Sequence, residues 1–490
     1  MRAPRSLSSV PLWTIKASFL ASAKKISNRE WTGVRYKPWA EECFLGLRGI
    51  GLKLLAWSWW RYSPEGTEVS GTFSFMRGNV LVLTICSTLW RISVDVVWPF
   101  LSLYVLALGG RYETIGMVMA VGNLAGMILY PLGGYIADYQ GRIRVMGYMT
   151  YVFAFTFLIF VFASSWEWLA VGMFMQSLVT FYVPAMQALM ADSLPPERRG
   201  IGFATTMAIP SAVGIASPMI GGWLIETYGI RAAMRGLYAA GFIAGLVVAT
   251  LRLKFLKETV ERPNQIEVSL RGAPRMLVTA YRSVLETIRE ASRPLLTLSL
   301  LVSACIFFVS IASPFWIVRA YEDVGISTQQ WGTLMLITGA MNVILSIPAG
   351  GLVDRLSKKW VAGVCLLISA VPVLLFLTAT TFLEILLLSI AGALTNTFLL
   401  PAIQTLFADM TPRSKRGRIM ASIGGGGFWI MGGAWGSGVL TMISQTAGSL
   451  CSGYIYNYNR SLPWYILSAA MVALGLMFIA LIEEPEEAEV

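Results

Sequence analysis

The sequence predicts an all-α polytopic membrane protein, with twelve transmembrane helices in two pseudo-symmetric six-helix bundles. Three observations carry that prediction. Of the 490 residues, 56% are hydrophobic and only 13% charged, whereas soluble chains carry about 25% charged residues. Apolar segments long enough to span a bilayer, about 20 residues each, recur as six, a basic linker, and six. The two halves also repeat each other's motifs at a nearly constant offset. The same composition excludes a soluble multidomain enzyme and a disordered chain.

Taken in order, the spans are 79–108, 113–136, 145–164, 167–191, 201–225 and 231–251, then 295–319, 328–351, 360–380, 383–408, 419–444 and 462–482. They divide the chain into an N-terminal bundle over 76–251, a linker over 252–293 and a C-terminal bundle over 294–482, with an acidic tail at 483–490. Residues 1–75 differ. Within them, Phe44 to Trp60 is interrupted by Arg48 and Lys53 and crowded by Trp57, Trp59 and Trp60. That mix suits a helix lying on the membrane surface. The alternative is a start at Met76, immediately before the first span.

Lys and Arg orient the spans, because cytoplasmic loops carry an excess of them. With both termini in the cytoplasm of a plasma-membrane protein, 32 of the 38 face inward, five outward, and Arg91 lies inside a helix. The net charge of +11 thereby faces an anionic inner leaflet, and nucleic-acid binding is not needed to explain it. The chain contains no histidine, and its five cysteines form no CxxC. His-based metal sites and Ser-His-Asp or Cys-His nucleophiles are therefore excluded. No G-x-x-x-x-G-K-[ST] phosphate loop occurs. The run Gly424–Gly427 opens an apparent span and reads as helix packing. The expectation is no catalytic residue, no metal and no cofactor.

The repeat is specific. Gly134-x-x-x-Asp138-x-x-Gly141-Arg142-x-Arg144 separates the second and third spans, and Gly350-x-x-x-Asp354-Arg355-x-Ser357-Lys358-Lys359 the eighth and ninth. The two aspartates are 216 residues apart. The fourth span ends Pro184-Ala185-x-Gln187-x-Leu189-x-Ala191-Asp192. The tenth ends Pro401-Ala402-x-Gln404-x-Leu406-x-Ala408-Asp409, 217 residues on. Pro99-Phe100 in the first span matches Pro314-Phe315 in the seventh. Parallel repeats of this kind mark transporters built from two bundles. The doubled loop motif in a 6+6 chain resembles the major facilitator superfamily over residues 79–482. Gly214-x-x-x-Pro218-x-x-Gly221-Gly222 in the fifth span resembles the proline-glycine motif of that superfamily's proton-coupled exporters. Here Ser217 replaces the glycine before the proline, and the eleventh span lacks an equivalent proline.

Two ionisable residues lie deep in the first span. Arg91 and Asp95 are four residues apart and share a helix face. Intramembrane charges are costly and mark functional sites by default. The seventh span has Ile306 and Ser310 at the equivalent positions, so the charge sits in one half only. The resemblance implies that spans one, four, seven and ten line a cavity. That makes Gln176 and Asn396 substrate candidates beside Arg91 and Asp95, with Tyr130 and Trp316 as stacking candidates. It also implies two cytoplasmic gating clusters, Asp138–Arg142–Asp192 and Asp354–Lys358–Asp409, with Gly134, Gly214, Pro218, Gly221, Gly222 and Gly350 packing helices. The function expected is secondary active transport by alternating access. The favoured form is proton-coupled export of lipophilic small molecules by a monomer, with Asp95 carrying the proton. The alternatives are a facilitator or symporter for a sugar or organic anion, with Arg91 as the anion ligand, and a non-transporting receptor.

Overall fold

The computed structural model describes residues 75–129, 141–195, 199–259, 273–411 and 438–484, with 419, 422–423, 426–428 and 433–436. The chain divides into two compact units, 1–65 and 66–490, and every described residue belongs to the second. Gly134, Asp138 and Tyr130, the N-terminal arm and most of the acidic tail lie outside the described residues.

The chain is a helical membrane protein. Among the described residues, eleven helices are long and apolar enough to cross a membrane. In order, the first six are Gly78–Ala107, Tyr112–Leu129, Arg142–Val161, Trp166–Ser193, Ile201–Tyr228 and Ile230–Phe255. The seventh to tenth are Arg293–Glu322, Thr328–Val353, Lys358–Leu375 and Phe382–Asp409, and the twelfth is Leu462–Leu481. Between the last two, Val439–Tyr458 is the eleventh helix in chain order and is less apolar than those eleven.

That eleventh helix starts about twenty residues later than the sequence predicts. In the stretch expected to be its first half, Gly426–Phe428 pairs antiparallel with Ala434–Gly436. Eight glycines lie between 424 and 438. Each costs a helix about 1 kcal/mol relative to alanine, which disfavours one continuous helix through them, although Ile419, Ser422 and Ile423 just before them keep helical geometry. Of the run read as helix packing, Gly426 and Gly427 lie in this strand pair and Gly424 and Gly425 lie outside the described residues, and Cys451 sits inside the eleventh helix.

Local chemistry sets the helix ends. Ser327 and Gln330 form a capping box at the start of the eighth helix, and Thr381 and Glu384 one at the start of the tenth. Such boxes satisfy two orphan backbone donors each. Three arginines do the reverse job at helix C-termini. Arg231 donates to Ala107 O at 2.6 Å, Arg235 to Ala163 O at 2.7 Å and Arg319 to Leu377 O at 3.0 Å. Cations are favoured where carbonyls end a helix.

The repeated Pro-Phe pair also acquires a structural meaning. Trp98–Phe100 and Ser313–Phe315 are 3-10 turns that break the first and seventh helices. Proline removes one hydrogen bond and clashes with the preceding turn. Beyond the second break, Phe315 stacks on Tyr456 at 4.1 Å, with Trp464, Trp316 and Phe376 beside them. Trp316 is 1% exposed. It belongs to this aromatic core, which removes it from the candidate substrate contacts.

Packing within each half joins the third and sixth, second and fourth, and first and fifth helices, and likewise the ninth and twelfth, and seventh and eleventh. Two seams join the halves, the second helix against the eleventh and the fifth against the eighth. Both are closest at the end of the molecule opposite the loop motifs, called here the far end. At Gly222 a Cβ would lie 2.1 Å from Thr328 O, at Gly332 2.3 Å from Pro218 O, and at Gly116 2.4 Å from Ser449 O. A Cβ at Gly453 would lie 2.4 Å from Tyr112 O. Only hydrogen fits at those positions, so backbones touch. Gly350, at the motif end of the eighth helix, is different. A Cβ there would meet nothing within 4 Å, so it packs no helix against another in this conformation.

Candidate functional site

The first and fifth helices both break at mid-depth, and the breaks adjoin. The first loses α-helical geometry after Asp95, and the fifth at the turn between Gly214 and Ser217. Broken helices at the membrane midplane are where transporters bind substrates and coupling ions. The Arg91–Asp95 pair stands at this junction, Nε to Oδ2 2.5 Å, with side chains 43% and 26% exposed. The pair is thus reachable rather than sealed in the bundle. Gly214 is what leaves room for it. A Cβ there would lie 2.8 Å from Arg91 Cγ and 3.2 Å from Asp95 Oδ2. Gly221 lets the fifth helix approach Val96 O and the Phe100 ring, and Pro218 is buried beside it.

The other candidates are on the fourth and tenth helices. Gln176 is half-buried on the fourth helix. Asn396 is 4% exposed on the tenth, and its Oδ1 has no hydrogen-bond partner among the described residues. A buried amide oxygen left unpaired costs about 1–3 kcal/mol, so a bound group that donates to it is favoured. One residue on, Thr397 donates to Asn342 Oδ1 at 2.7 Å, which ties the tenth helix to the eighth.

At the motif end each half closes its own charge cluster. Arg142 bonds Asp192 and reaches Thr259 Oγ1 at 3.5 Å. Lys358 Nζ lies 3.7 Å from Asp409 Oδ2. Asp354 is exposed, and no hydrogen bond or ion pair engages its side chain among the described residues. Sequence reasoning missed a third element of this arrangement. Glu258 accepts from Ile143 N at 3.1 Å, and Glu484 from Ser357 Oγ at 2.8 Å and Lys359 N at 2.5 Å. A carboxylate trailing the last helix of each bundle thus caps the N-terminus of the bundle's third helix. Anions are stabilised there by the helix dipole. The signal was present, since both glutamates follow the end of a sixth-position helix.

A second missed residue is Arg252, counted in the linker by sequence. The sixth helix runs on to Phe255, and Arg252 is 1% exposed in its last turn. It donates to Thr150 Oγ1 at 2.7 Å and Met186 Sδ at 3.4 Å, and lies 5.5 Å from the Tyr182 ring centroid. It fastens the third, fourth and sixth helices.

The family model of the Major Facilitator Superfamily matches residues 83–321 and again 298–489. The chain belongs to the major facilitator superfamily. As a member it is a transporter of small molecules, a carrier built from many membrane passes. It is 26% identical over 402 residues to the multidrug resistance protein MdtG of Salmonella typhimurium, covering 78% of this chain and 95% of that one. It is 24% identical over 353 residues to the multi-drug resistance efflux pump PmrA of Streptococcus pneumoniae, covering 70% and 84%. Among solved structures, a mutant of the peptide transporter POT in complex with sulfate aligns with a TM-score of 0.64 at 17% identity, over 82% of this chain and 93% of that one. The xylose transporter XylE from E. coli, inward open, aligns with a TM-score of 0.58 at 14% identity, over 83% and 96%. These likenesses establish the twelve-helix superfamily fold.

Proposed function

We propose that the protein exports lipophilic small molecules across the plasma membrane in exchange for protons. The observation that carries this reading is the accessible Arg91–Asp95 pair at two adjoining helix breaks, in the N-terminal half alone. A carboxylate there can bind and release a proton as a substrate or a conformational change draws the pair apart. The efflux names of the two curated relatives support the direction of transport. The test is uptake of a lipophilic cation into inside-out proteoliposomes on an imposed pH step. Accumulation that follows the step supports exchange. Accumulation of an organic anion independent of the step favours the alternative, with Arg91 as its ligand.

In this reading the motif end is cytoplasmic and the far end external, as the Lys and Arg distribution requires. The close seams at the far end then make this a conformation closed to the outside. Asn459 and Lys257 are exposed at opposite ends. In a background lacking Cys43 and Cys451, an impermeant maleimide added outside intact cells should label Asn459→Cys and spare Lys257→Cys. Labelling of the second at the rate of the first would reverse the topology.

The charge clusters act as cytoplasmic latches that hold only when the protein opens outward. Each loop aspartate then meets the opposite half: Asp354 the fifth-helix N-terminus near 200–203, and Asp138 the stretch near 418–421, ahead of the strand pair that precedes the eleventh helix. The hydrogen-bonded Arg142–Asp192 pair braces the first latch more firmly than Lys358 and Asp409 brace the second, since lysine offers no bidentate fork. Asp138→Asn should therefore slow transport more than Asp354→Asn, and should shift the population toward inward-open. Equal effects of the two in a transport assay would remove the asymmetry.

A further inference from the structure

The linker between the bundles contains a helix that the sequence reading did not expect, Ala273–Glu290. One face is held by the protein. Tyr281 donates its hydroxyl to Met127 O at 2.7 Å, Val284 and Thr287 are 6% and 4% exposed, and Ile288 packs on the main hydrophobic core. The rest of the surface is ordered in an unusual way. Successive residues advance about 100° around a helix. Turning from the protein-held face, the next sector carries Val278 and Leu285, 69% and 57% exposed. Beyond it come Arg282 and Arg289, both exposed, the first with 80% of its side chain free. Beyond those come Glu286 and Glu290. Around half the circumference the sequence is therefore protein contact, apolar, cationic, anionic.

We propose that this flank is a docking surface for anionic phospholipids of the inner leaflet. The order of the sectors matches the order of layers at a membrane surface. Val278 and Leu285 reach the acyl boundary, as apolar faces of interfacial helices do. Arg282 and Arg289 sit at phosphate height, where an anionic leaflet attracts basic side chains. The carboxylates are turned furthest toward water, which avoids repulsion between them and the lipid phosphates. The i,i+4 pair between Arg282 and Glu286, at 3.3 Å, is exposed on both sides and yields easily to a phosphate. Charge complementarity selects lipid over a second apolar helix. An occupying protein segment would leave two arginines without an assigned partner. The anchor also has a mechanical consequence. The helix is tied to the second helix at Met127 and leads through residues 291–292 into the seventh. Lipid binding there holds both bundles to one surface.

The test uses the full chain in phosphatidylcholine vesicles containing phosphatidylglycerol. Bimane is attached to Val278→Cys in a Cys43→Ser, Cys451→Ser background, and either lipid is supplied with brominated acyl chains at the same mole fraction. Quenching by brominated phosphatidylglycerol should exceed that by brominated phosphatidylcholine by about fivefold, the ratio equivalent to about 1 kcal/mol for one basic residue at an anionic surface. Arg282→Gln with Arg289→Gln should bring the ratio to unity. The charge-keeping pair Arg282→Lys with Arg289→Lys should retain it, which separates recognition from loss of fold. Quenching by neither lipid places this flank in water or against protein, including the arm at 1–74, and overturns the proposal. Equal quenching by both overturns headgroup recognition.

Discussion

Asp95→Asn is expected to reduce pH-driven transport to the rate seen without a gradient, while substrate still binds. The change keeps the shape of the side chain and removes its ability to exchange a proton. It also leaves Arg91 without its counter-charge at mid-membrane, where an arginine costs about 2.5–3.5 kcal/mol on insertion scales. The Arg91 side chain is 43% free of protein cover, and with water reaching it from the transport path a loss nearer 1–2 kcal/mol is expected. Thermal unfolding in detergent should register it. The double variant Arg91→Gln, Asp95→Asn removes both charges and should recover most of the stability without recovering coupling. That combination distinguishes a coupling carboxylate from a structural pair. If Asp95→Asn instead keeps full pH-dependent accumulation, the pair only braces the break in the first helix, and the proton travels elsewhere. Gly214→Ala should give a milder version of the same defect. Its methyl would displace Arg91 Cγ from a 2.8 Å approach, and the side chain can move partway.

The sequence disclosed the parts of this protein that the bilayer dictates. In hydrocarbon a span must be helical and apolar, so most span boundaries read from hydropathy fall within a few residues of the helices. The repeat disclosed the paired clusters, because Arg142–Asp192 and Lys358–Asp409 occupy equivalent positions. Features set by tertiary packing were not legible. Composition around 419–438 is apolar enough to span, yet among its glycines Gly426–Phe428 and Ala434–Gly436 pair as strands. Arg252 reads as a loop cation because nothing local shows that Thr150, Met186 and Tyr182 enclose it. The linker helix escaped notice because its apolar residues are divided between a protein-held face and an exposed one. The seam glycines had a signal that went unused. Gly116 and Gly332 are 216 residues apart, the same offset as Asp138 and Asp354, and belong to the same repeat.

Gly222→Ala and Gly332→Ala are expected to open the far end and leave the transporter biased away from the conformation described here. Each glycine faces backbone, not a movable side chain. The added carbon would stand 2.1 Å from Thr328 O in one case and 2.3 Å from Pro218 O in the other, where ordinary contact needs about 3.5 Å or more. The fifth and eighth helices can relieve this only by moving apart by roughly 1 Å at that point. Thr328 adds to the closed state at the same place, donating through its hydroxyl to Gly222 O at 2.9 Å and through its backbone to Glu226 at 3.1 Å. Separation breaks those bonds too. Overpacking of this kind costs about 1–3 kcal/mol, a shift of about 5- to 150-fold in a two-state population. The cost falls only on the state with a closed far end, because the seam does not exist in the other. A carrier must visit both states, so transport slows as the population shifts. Spin labels at Tyr228 and Tyr321, both exposed at the far end, should report a longer distance in either variant. Gly236→Ala is the control, since a Cβ there meets nothing within 4 Å. If Gly222→Ala and Gly332→Ala leave the distance distribution and the transport rate as they are in the parent, the seam yields without parting and does not seal the far end.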